Sequence, residues 1–253
     1  MEKFMTANGK TGYKEGQGAC TFSDGNKCGR DRYYPHIFRR FNLGFQDFRN
    51  YHFLYGVSYG DNAFVAVGTS NTILSSADNG TTWTTRTSAT NEEIRSTDYG
   101  NSIFMAVGLT GTIQASADGT TWTAKTSGTT KDLYNVSFIN NSFIATGNGT
   151  IISSSDGTNW SAMTSNSGNL WGIDYGNSTL VTVGDSGKII TSTDNGTSWT
   201  TRTSGTSNSL YQVVYGNNTF LAVGATGTVL TSTDNGTSWT SRTSGTTNIL
   251  YGM

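Results

Sequence analysis

The sequence has few charged residues, and the charges that it carries nearly cancel. Asp, Glu, Lys and Arg make up only 13% of its 253 residues, and the formal net charge is −1. A chain with this balance is neither a strongly basic nucleic-acid binder nor a charged, disordered polymer. Nucleic acid is therefore not an expected partner.

Proline, cysteine and long apolar runs are also scarce. Pro35 is the only proline, and Cys20 and Cys28 are the only cysteines. Two cysteines are too few for a disulfide scaffold, and they form either one small loop or two free thiols. No apolar run reaches about 18 residues, so no transmembrane helix is expected. The first residues lack the apolar stretch of a secretory signal peptide, so we expect synthesis without export by that route.

Glycine, serine, threonine and asparagine are abundant instead. The chain has 32 glycines, and hydrophobic residues make up 34% of it. Soluble domains usually reach about 45–50% on a count that includes glycine. This composition is typical of many short strands joined by tight turns, and it argues against a helix bundle.

The charge is divided unevenly between two parts of the chain. Residues 1–53 have a net charge of +4 and residues 54–253 a net charge of −5. The first part also holds both cysteines, the proline and both histidines, His36 and His52. Such asymmetry indicates two modules with different roles. We therefore divide the chain into an N-terminal docking segment, 1–53, and a second domain, 54–253.

The second domain is an internal repeat marked by five tryptophans. Their spacings are 39, 38, 39 and 40 residues, and each tryptophan ends a phrase such as Ser-Thr-Asp-Asn-Gly-Thr-Ser-Trp. The second and third phrases are one residue shorter. Repeats of this length, each with turn signals between short apolar runs, indicate one supersecondary unit per period.

Each period contains four pieces that read as short strands. In the last period they begin at Leu210, Phe220, Thr228 and Trp239. The second piece is apolar and small, as expected for a strand between neighbouring units, whereas the fourth is polar with a basic residue, as expected at a sheet edge. Four strands in about 40 residues describe a propeller blade.

The fold class that we predict is all-β: a five-bladed β-propeller of four-stranded antiparallel blades, with an irregular N-terminal extension. The five blades are expected to span 54–93, 94–132, 133–169, 170–209 and 210–249. Five complete blades are enough to close a ring. The chain then continues with Leu250-Tyr-Gly-Met253, a copy of Leu54-Tyr-Gly-Val57. This segment either adds to the closure, lies loose or pairs with another module.

The tryptophan phrase resembles the Asp-box, also called the BNR repeat, over residues 54–249. The resemblance implies that each box forms the hairpin turn between the third and fourth strands of a blade. An Asp carboxylate in such a turn accepts backbone hydrogen bonds, and the tryptophan anchors the hairpin by burial. Structural roles are thus expected for Asp78, Trp83, Asp118, Trp122, Asp156, Trp160, Asp194, Trp199, Asp234 and Trp239.

Asp-box propellers include sialidases, so a glycoside hydrolase has to be considered. That chemistry needs an arginine triad, a Tyr–Glu pair and an acid. Three of the four propeller arginines share one rim position in different blades, so only Arg95 stands apart from them. The only glutamates of the propeller are the neighbours Glu92 and Glu93. The other candidate acids are Asp98, Asp174 and Asp185. Nothing in the sequence brings them together, so we expect no enzyme and no catalytic residue.

Cofactor and metal motifs are missing as well. The sequence contains no phosphate-binding glycine loop, no HExxH motif and no set of Cys and His residues with zinc-finger spacing. We therefore expect no cofactor and no metal ion. A single carboxylate in each Asp-box turn is too few for a tight calcium site.

The surface chemistry favours binding instead. A ring rich in Ser, Thr, Asn and Tyr suits carbohydrate or protein recognition, with aromatic rings available for stacking on sugars. The predicted ligand face consists of Tyr55, Tyr99, Tyr134, Trp171 and Tyr211. The alternative is that these side chains pack one blade against the next.

The N-terminal segment interleaves aromatic and basic residues, a mixture typical of interface cores. The candidate docking arm consists of Arg30, Arg32, Tyr33, Tyr34, Arg39, Arg40 and Phe41. The last two blades resemble propeller repeats of bacteriophage virion proteins and bacterial surface proteins. They are also similar to photosystem II assembly factors of the Ycf48 type, which normally carry seven blades.

These resemblances imply a non-enzymatic structural or adhesive protein. Our leading hypothesis is a virion component of a phage tail, fibre or decoration layer. Residues 1–53 would dock to other virion proteins, and the propeller would face outward toward a host-surface glycan or protein. Homo-oligomers fit this role. The alternatives are an intracellular assembly factor or scaffold and, third, a sialidase-like hydrolase.

Overall fold

A computed structural model describes residues 53–163 and 168–252, together with three short strands near the start of the chain. The chain divides into two compact units, Met1–Pro35 and His36–Met253. In the first unit, β1 (Glu2–Met5), β2 (Thr11–Glu15) and β3 (Ala19–Phe22) form an antiparallel sheet in that order. Part of the extension is therefore a regular sheet rather than irregular. The candidate docking arm lies outside the described residues, and the predicted domain boundary between residues 53 and 54 stays a prediction.

The second unit contains five four-stranded antiparallel sheets. Blade 1 comprises β4 (Leu54–Gly60), β5 (Ala63–Gly68), β6 (Ile73–Ser76) and β7 (Thr84–Arg86). Blade 2 comprises β8 (Ile94–Gly100), β9 (Ile103–Gly108), β10 (Ile113–Ser116) and β11 (Thr123–Lys125). Blade 3 comprises β12 (Leu133–Ile139), β13 (Ser142–Gly147), β14 (Thr150–Ser154) and β15 (Ser161–Ala162).

The last two blades repeat the pattern. Blade 4 comprises β16 (Leu170–Gly176), β17 (Thr179–Gly184), β18 (Ile189–Ser192) and β19 (Thr200–Arg202). Blade 5 comprises β20 (Leu210–Gly216), β21 (Thr219–Gly224), β22 (Val229–Ser232) and β23 (Thr240–Arg242). The prediction of an all-β, five-bladed propeller is confirmed.

Each sheet keeps its strands in chain order, and the first strands of successive blades contact one another. The first strand is therefore the inner one. Most residues of the apolar second strands are buried, whereas the short fourth strands are largely exposed, as their composition predicted. The edge arginines bond back to the sheet: the Nε of Arg202, for example, donates to Thr191 at 2.9 Å.

The blades are joined by apolar clusters that belong to two blades at once. Val65 and Ile73 of blade 1 are fully buried against Phe104 and Trp122 of blade 2. Burying one large apolar side chain is worth about 1.5–3 kcal/mol, so each junction is a substantial source of stability. In the described part of the propeller, each cluster of buried apolar residues combines side chains of two neighbouring blades, so the core lies between blades.

The chain turns at two opposite faces of the propeller. The box face carries the Asp-box turns and the turns between first and second strands. At this face Asn140 of blade 3 donates to Asn195 of blade 4 at 2.9 Å. The loop face carries the blade connections and the turns between second and third strands, which in three blades are 3₁₀ turns (Leu109–Gly111, Asp185–Gly187 and Ala225–Gly227).

The residues after blade 5 continue the repeat rather than lying loose. The N–H of Leu250 donates to the carbonyl of Gly224 at 3.0 Å. The ring of Tyr251 lies 5.0 Å from that of Tyr211, centroid to centroid. Leu250 and Tyr251 thus hold, on blade 5, the place at which a following first strand would start.

Candidate binding face

A row of aromatic and basic side chains lies where the first strands begin, at the loop face. Each member is the second residue of a first strand, and the row continues past blade 5: Tyr55, Arg95, Tyr134, Trp171, Tyr211 and Tyr251. The pairing register shifts at this residue in every blade. A bulge of this kind re-aims a side chain at the end of a strand. All six residues are partly buried.

The rings of the row contact one another from blade to blade. Tyr134 stacks on Trp171 with 4.3 Å between centroids, and Tyr211 meets Trp171 edge-on at 6.2 Å. The guanidinium of Arg95 lies 4.6 Å from the ring centroid of Tyr55. Aromatic pairs and cation–π pairs of this geometry each contribute about 0.5–1.5 kcal/mol. The row is therefore a preorganised, partly apolar surface.

Asp185 supplies the polar centre of the row. Its carboxylate accepts hydrogen bonds from the Trp171 indole N–H at 2.7 Å and from the Asn169 amide at 2.8 Å. The hydroxyl of Ser209, from the next blade connection, lies 3.4 Å away. The 3₁₀ turn that follows the second strand of blade 4 places Asp185 here. These bonds fix the orientation of Trp171 and hold a negative charge beside it.

An ion pair lies at the other end of the row. A terminal guanidinium nitrogen of Arg95 is 2.7 Å from a carboxylate oxygen of Glu93, and both side chains are largely buried. Glu93, which was considered above only as a candidate for catalysis, therefore has a structural partner. The sequence signal for this pair is the spacing of two residues between Glu93 and Arg95, which puts both on one side of an extended segment.

Tyr99 does not share this face with the other four residues of the predicted ligand face. It is the sixth residue of its strand and lies at the box-face end, where its ring packs on the backbone of Gly60 in blade 1. Its ring is also 4.6 Å from that of Phe104. The contacts of Tyr99 belong to the junction between blades 1 and 2.

The candidate acids also separate into two groups. Asp98 and Asp174 lie near the box-face ends of their first strands, whereas Asp185 lies at the loop face. Each of the first two accepts the N–H of its own neighbour and an N–H of the next blade: Asp174 bonds Tyr175 at 2.8 Å and Tyr215 at 2.6 Å. Burial raises the pKa of both Asp98 and Asp174, and the backbone bonds oppose that shift. The three acids do not converge on one point.

In all five Asp-box turns the Asp carboxylate accepts a hydrogen bond from a serine two residues earlier, at the box face. The other donors lie four residues after the Asp in the full-length boxes and two or three residues after it in the shorter ones. In blade 5, Asp234 accepts the Ser238 N–H at 2.9 Å, the Ser238 hydroxyl at 2.5 Å and the Ser232 hydroxyl at 2.8 Å. These bonds, led by that of the Ser238 hydroxyl, lower the pKa of Asp234 to about 2. The equivalent carboxyls also have lowered pKa values: Asp78, Asp118, Asp156 and Asp194.

The longer and shorter boxes differ at the tryptophan. In the full-length boxes the indole N–H donates to the box glycine carbonyl, as Trp239 does to Gly236 at 3.0 Å. In the shorter boxes the indole nitrogens of Trp122 and Trp160 are buried without a hydrogen-bond partner in the described part of the chain. The extra asparagine thus presents the glycine carbonyl to the indole.

Among the described residues, no three His, Cys, Asp or Glu side chains are grouped so as to hold a metal ion. Within those same stretches, no helix is long and apolar enough to cross a membrane.

Comparisons with known proteins support the propeller. A family described as the DUF6242 beta propeller domain matches residues 89–210, which run from the end of blade 1 to the start of blade 5. No curated protein matches the sequence.

Many solved structures share the fold. YCF48 bound to a D1 peptide has 18% sequence identity and a TM-score of 0.62, and the match covers 94% of this chain and 76% of that one. YCF48 from Cyanidioschyzon merolae has 16% identity and a TM-score of 0.61, over 78% and 71% of the two chains. The computationally designed Ika8 protein has 13% identity and a TM-score of 0.65, over 79% and 64%. At these identities the likeness establishes the fold alone.

Proposed function

We propose that this chain is a non-enzymatic binding propeller that holds an extended polypeptide segment of a partner protein across its loop face. The observation that carries the proposal is the row of side chains at the loop face, in which the rings contact one another from Tyr134 to Tyr251. It combines apolar ring surface with the fixed charges of Asp185 and Arg95. Small numbers of placed polar groups within an apolar surface are typical of ligand sites.

The ring geometry favours a peptide over a sugar. A sugar stacks on an open aromatic face, but Trp171 has Tyr134 stacked against it at 4.3 Å and Tyr211 beside it at 6.2 Å. The rings are half-buried, so each exposes only part of its apolar surface. An extended peptide can lay apolar side chains along such a surface, while its backbone N–H groups bond acceptors such as Asp185, whose carboxylate has further lone pairs to offer.

The likeness to YCF48 supports the same class of ligand. That protein binds a D1 peptide, so a propeller of this fold can hold a polypeptide segment. Among the described residues, Asp98 and Asp174 bond across blade junctions and do not converge with Asp185, which supports binding without catalysis.

The virion role and virion location are a narrower form of this proposal. They are supported by the repeat phrases of the last two blades and by the aromatic and basic composition of residues 30–41. The test is co-purification with phage particles of the full chain beside the full-length double variant Arg39→Glu/Arg40→Glu. Loss of co-purification in the variant supports the docking arm, and equal co-purification counts against it. The alternative role, an intracellular scaffold, would also involve peptide binding but would not require association with a phage particle.

The peptide-binding proposal is tested with a library of random peptides displayed on beads and, in parallel, a glycan array. The full chain is compared with Asp185→Asn, which keeps the side-chain size but removes the charge at the centre of the row. We expect peptide ligands, with binding weakened at least about tenfold in Asp185→Asn, as for a charge that contacts its ligand.

Asp132→Asn is the matched control. Asp132 lies in a blade connection at the same face and accepts the Thr110 N–H at 2.9 Å, but it is outside the row. Its variant is expected to bind as the unmodified chain does. Binding to glycans without peptides, or equal losses in both variants, would contradict the proposal.

A further inference from the structure

The 3₁₀ turn that begins at Asp185 has the same backbone as two turns without a carboxylate. The equivalent turns of blades 2 and 5 begin at Leu109 and Ala225. The middle residue of the three turns has a φ of 53°, 54° and 53° along the chain. In each turn the N–H of the first residue donates to the carbonyl just before the first strand of its blade, at 3.0, 3.2 and 2.8 Å. Because leucine and alanine make the same turn, the turn does not require the carboxylate of Asp185.

The Asp185 carboxylate is hydrogen-bonded, but its charge is not neutralised. Its donors are the Trp171 indole, the Asn169 amide and the Ser209 hydroxyl, all of which are neutral. In the part of the chain that the structure describes, no Lys, Arg or His side chain lies within ion-pair distance of this carboxylate. Asp185 is also partly buried, and solvent and salt screen such a charge less than an open one. The site therefore presents an uncompensated negative charge among aromatic rings.

The other end of the row contains the same combination together with a cation. There the guanidinium of Arg95 lies 4.6 Å from the ring centroid of Tyr55, and one of its nitrogens is 2.7 Å from a carboxylate oxygen of Glu93. Carboxylate, ring and guanidinium thus form one group. Around Asp185 the row has the carboxylate and the rings next to Trp171, and among the described residues it has no cation. The two ends of the row differ by one positive group.

We propose that Asp185 binds a positively charged side chain, arginine or lysine, of the polypeptide segment held at the loop face. The inference rests on the proposed peptide binding and names the residue type that the row selects. A backbone N–H at Asp185 would leave the negative charge without a counter-charge, whereas a charged donor forms a hydrogen bond roughly twice as strong as a neutral one. Arginine and lysine share this chemistry, and arginine can also stack on a ring, as Arg95 does on Tyr55.

The first test measures which residues the full chain selects from random peptides. The bead-displayed library is made with all residues at equal frequency, and the bound peptides are sequenced. We expect arginine or lysine at one position, enriched at least about tenfold over glutamine there. Asp185→Asn should lose this enrichment. Asp132→Asn, the control at the same face, should keep it.

The second test removes one charge from each partner. The tightest selected peptide is synthesised again with citrulline in place of its arginine, or norleucine in place of its lysine. The neutral peptide should bind the unmodified chain at least about tenfold more weakly than its charged parent. The two peptides should bind Asp185→Asn equally, because one half of the pair is already missing. Fluorescence polarisation measures the four affinities, and added salt should reduce the difference seen with the unmodified chain.

The variants at this position are expected to fold. Leu109 and Ala225 occupy the equivalent place in the same turn of other blades. Circular dichroism checks the fold of Asp185→Asn, and Asp185→Ala, which copies the residue of blade 5, takes its place if needed.

Three results would overturn the inference. The first is a set of bound peptides without a preference for arginine or lysine, which would leave peptide binding intact and remove only the role of Asp185. The second is a basic preference that persists in Asp185→Asn, because the cation then binds elsewhere. The third is a neutral peptide that binds the unmodified chain as tightly as its charged parent. A chain that binds no peptide at all would instead contradict the proposed function, and the inference with it.

Discussion

The box face and the loop face of the propeller are built from the same five repeats, but they differ in how strictly the sequence repeats. At the box face every blade has an Asp whose carboxylate accepts the hydroxyl of a serine two residues before it, from Ser76 with Asp78 to Ser232 with Asp234. At the loop face the second residue of the first strand is Tyr, Arg, Tyr, Trp and Tyr in turn. The repeated Asp and Ser residues stabilise the same turn in every blade. The varied residues give each blade a different surface at the loop face. This difference fits the proposal that the first face stabilises the fold and the second face binds a ligand.

The largest difference between the faces should appear on removing a tryptophan from the box face. Trp122 is 7% exposed and packs with Val65 and Phe104 across a junction. Trp122→Ala should lower the free energy of unfolding by about 3–5 kcal/mol, because it removes a buried ring and leaves a cavity. Urea unfolding measures the change. A loss below about 1 kcal/mol would show that the box tryptophan does not anchor the blade.

The box carboxylates should have the next largest effect, and it should depend on pH. Asp234→Asn is expected to cost about 1 kcal/mol at neutral pH, because Asn replaces a charged acceptor of three hydrogen bonds. Asp185→Asn, its counterpart at the loop face, should change stability less, since its bonds fix surface side chains.

The pH range follows from the pKa of the folded state. The pKa of Asp234 falls from 3.8 to about 2 on folding. A lowered pKa stabilises the fold above pH 4, and that contribution disappears as the pH falls from about 4 to about 2. Unfolding curves of the unmodified chain and of Asp234→Asn should therefore converge over this interval. Curves that stay parallel down to pH 2 would contradict the assignment.

The smallest expected effect is at the loop face. The hydroxyl of Tyr134 lies 3.5 Å from the Asn169 amide oxygen, a long contact at a half-buried site. Tyr134→Phe keeps the ring that stacks on Trp171, so stability should change by about 0.5 kcal/mol or less. Peptide binding should persist, because the apolar surface is intact. A loss of stability close to that of Trp122→Ala would show that the row stabilises the fold.

The repeat predicted the blades closely because each strand has its own signature and each turn its own residues. The tryptophan phrases located the third-to-fourth strand turns, and the apolar runs such as Phe220 to Gly224 located the second strands. The predicted placement of the basic edge residues was also right, since Arg86, Arg202 and Arg242 lie on fourth strands.

The predicted ligand face was less accurate because it was chosen by residue type. Tyr99 and Tyr134 are both aromatic residues of first strands, but they occupy the sixth and second positions. Four residues of a strand span about 13 Å, so these positions lie at opposite faces of the propeller. The bulge that aims the second residue is a feature of pairing register, which composition does not reveal.

The sequence also does not predict whether the five blades close into a ring. Whether five blades close depends on how neighbouring blades pack, and in that packing rings such as Tyr99 lie on glycines such as Gly60. The repeat shows that these residues recur, and only the packing shows that Tyr59 and Gly216 have no counterpart within the described chain.

The most direct test of the division between the faces uses two variants and two readouts. Asp185→Asn and Asp234→Asn remove one carboxylate each, from the loop face and from the box face. We predict that Asp185→Asn loses binding to the selected peptides at least about tenfold while its unfolding midpoint stays near that of the unmodified chain. Asp234→Asn should bind normally and unfold at lower urea. The opposite pattern, or two variants that lose binding and stability together, would contradict the account.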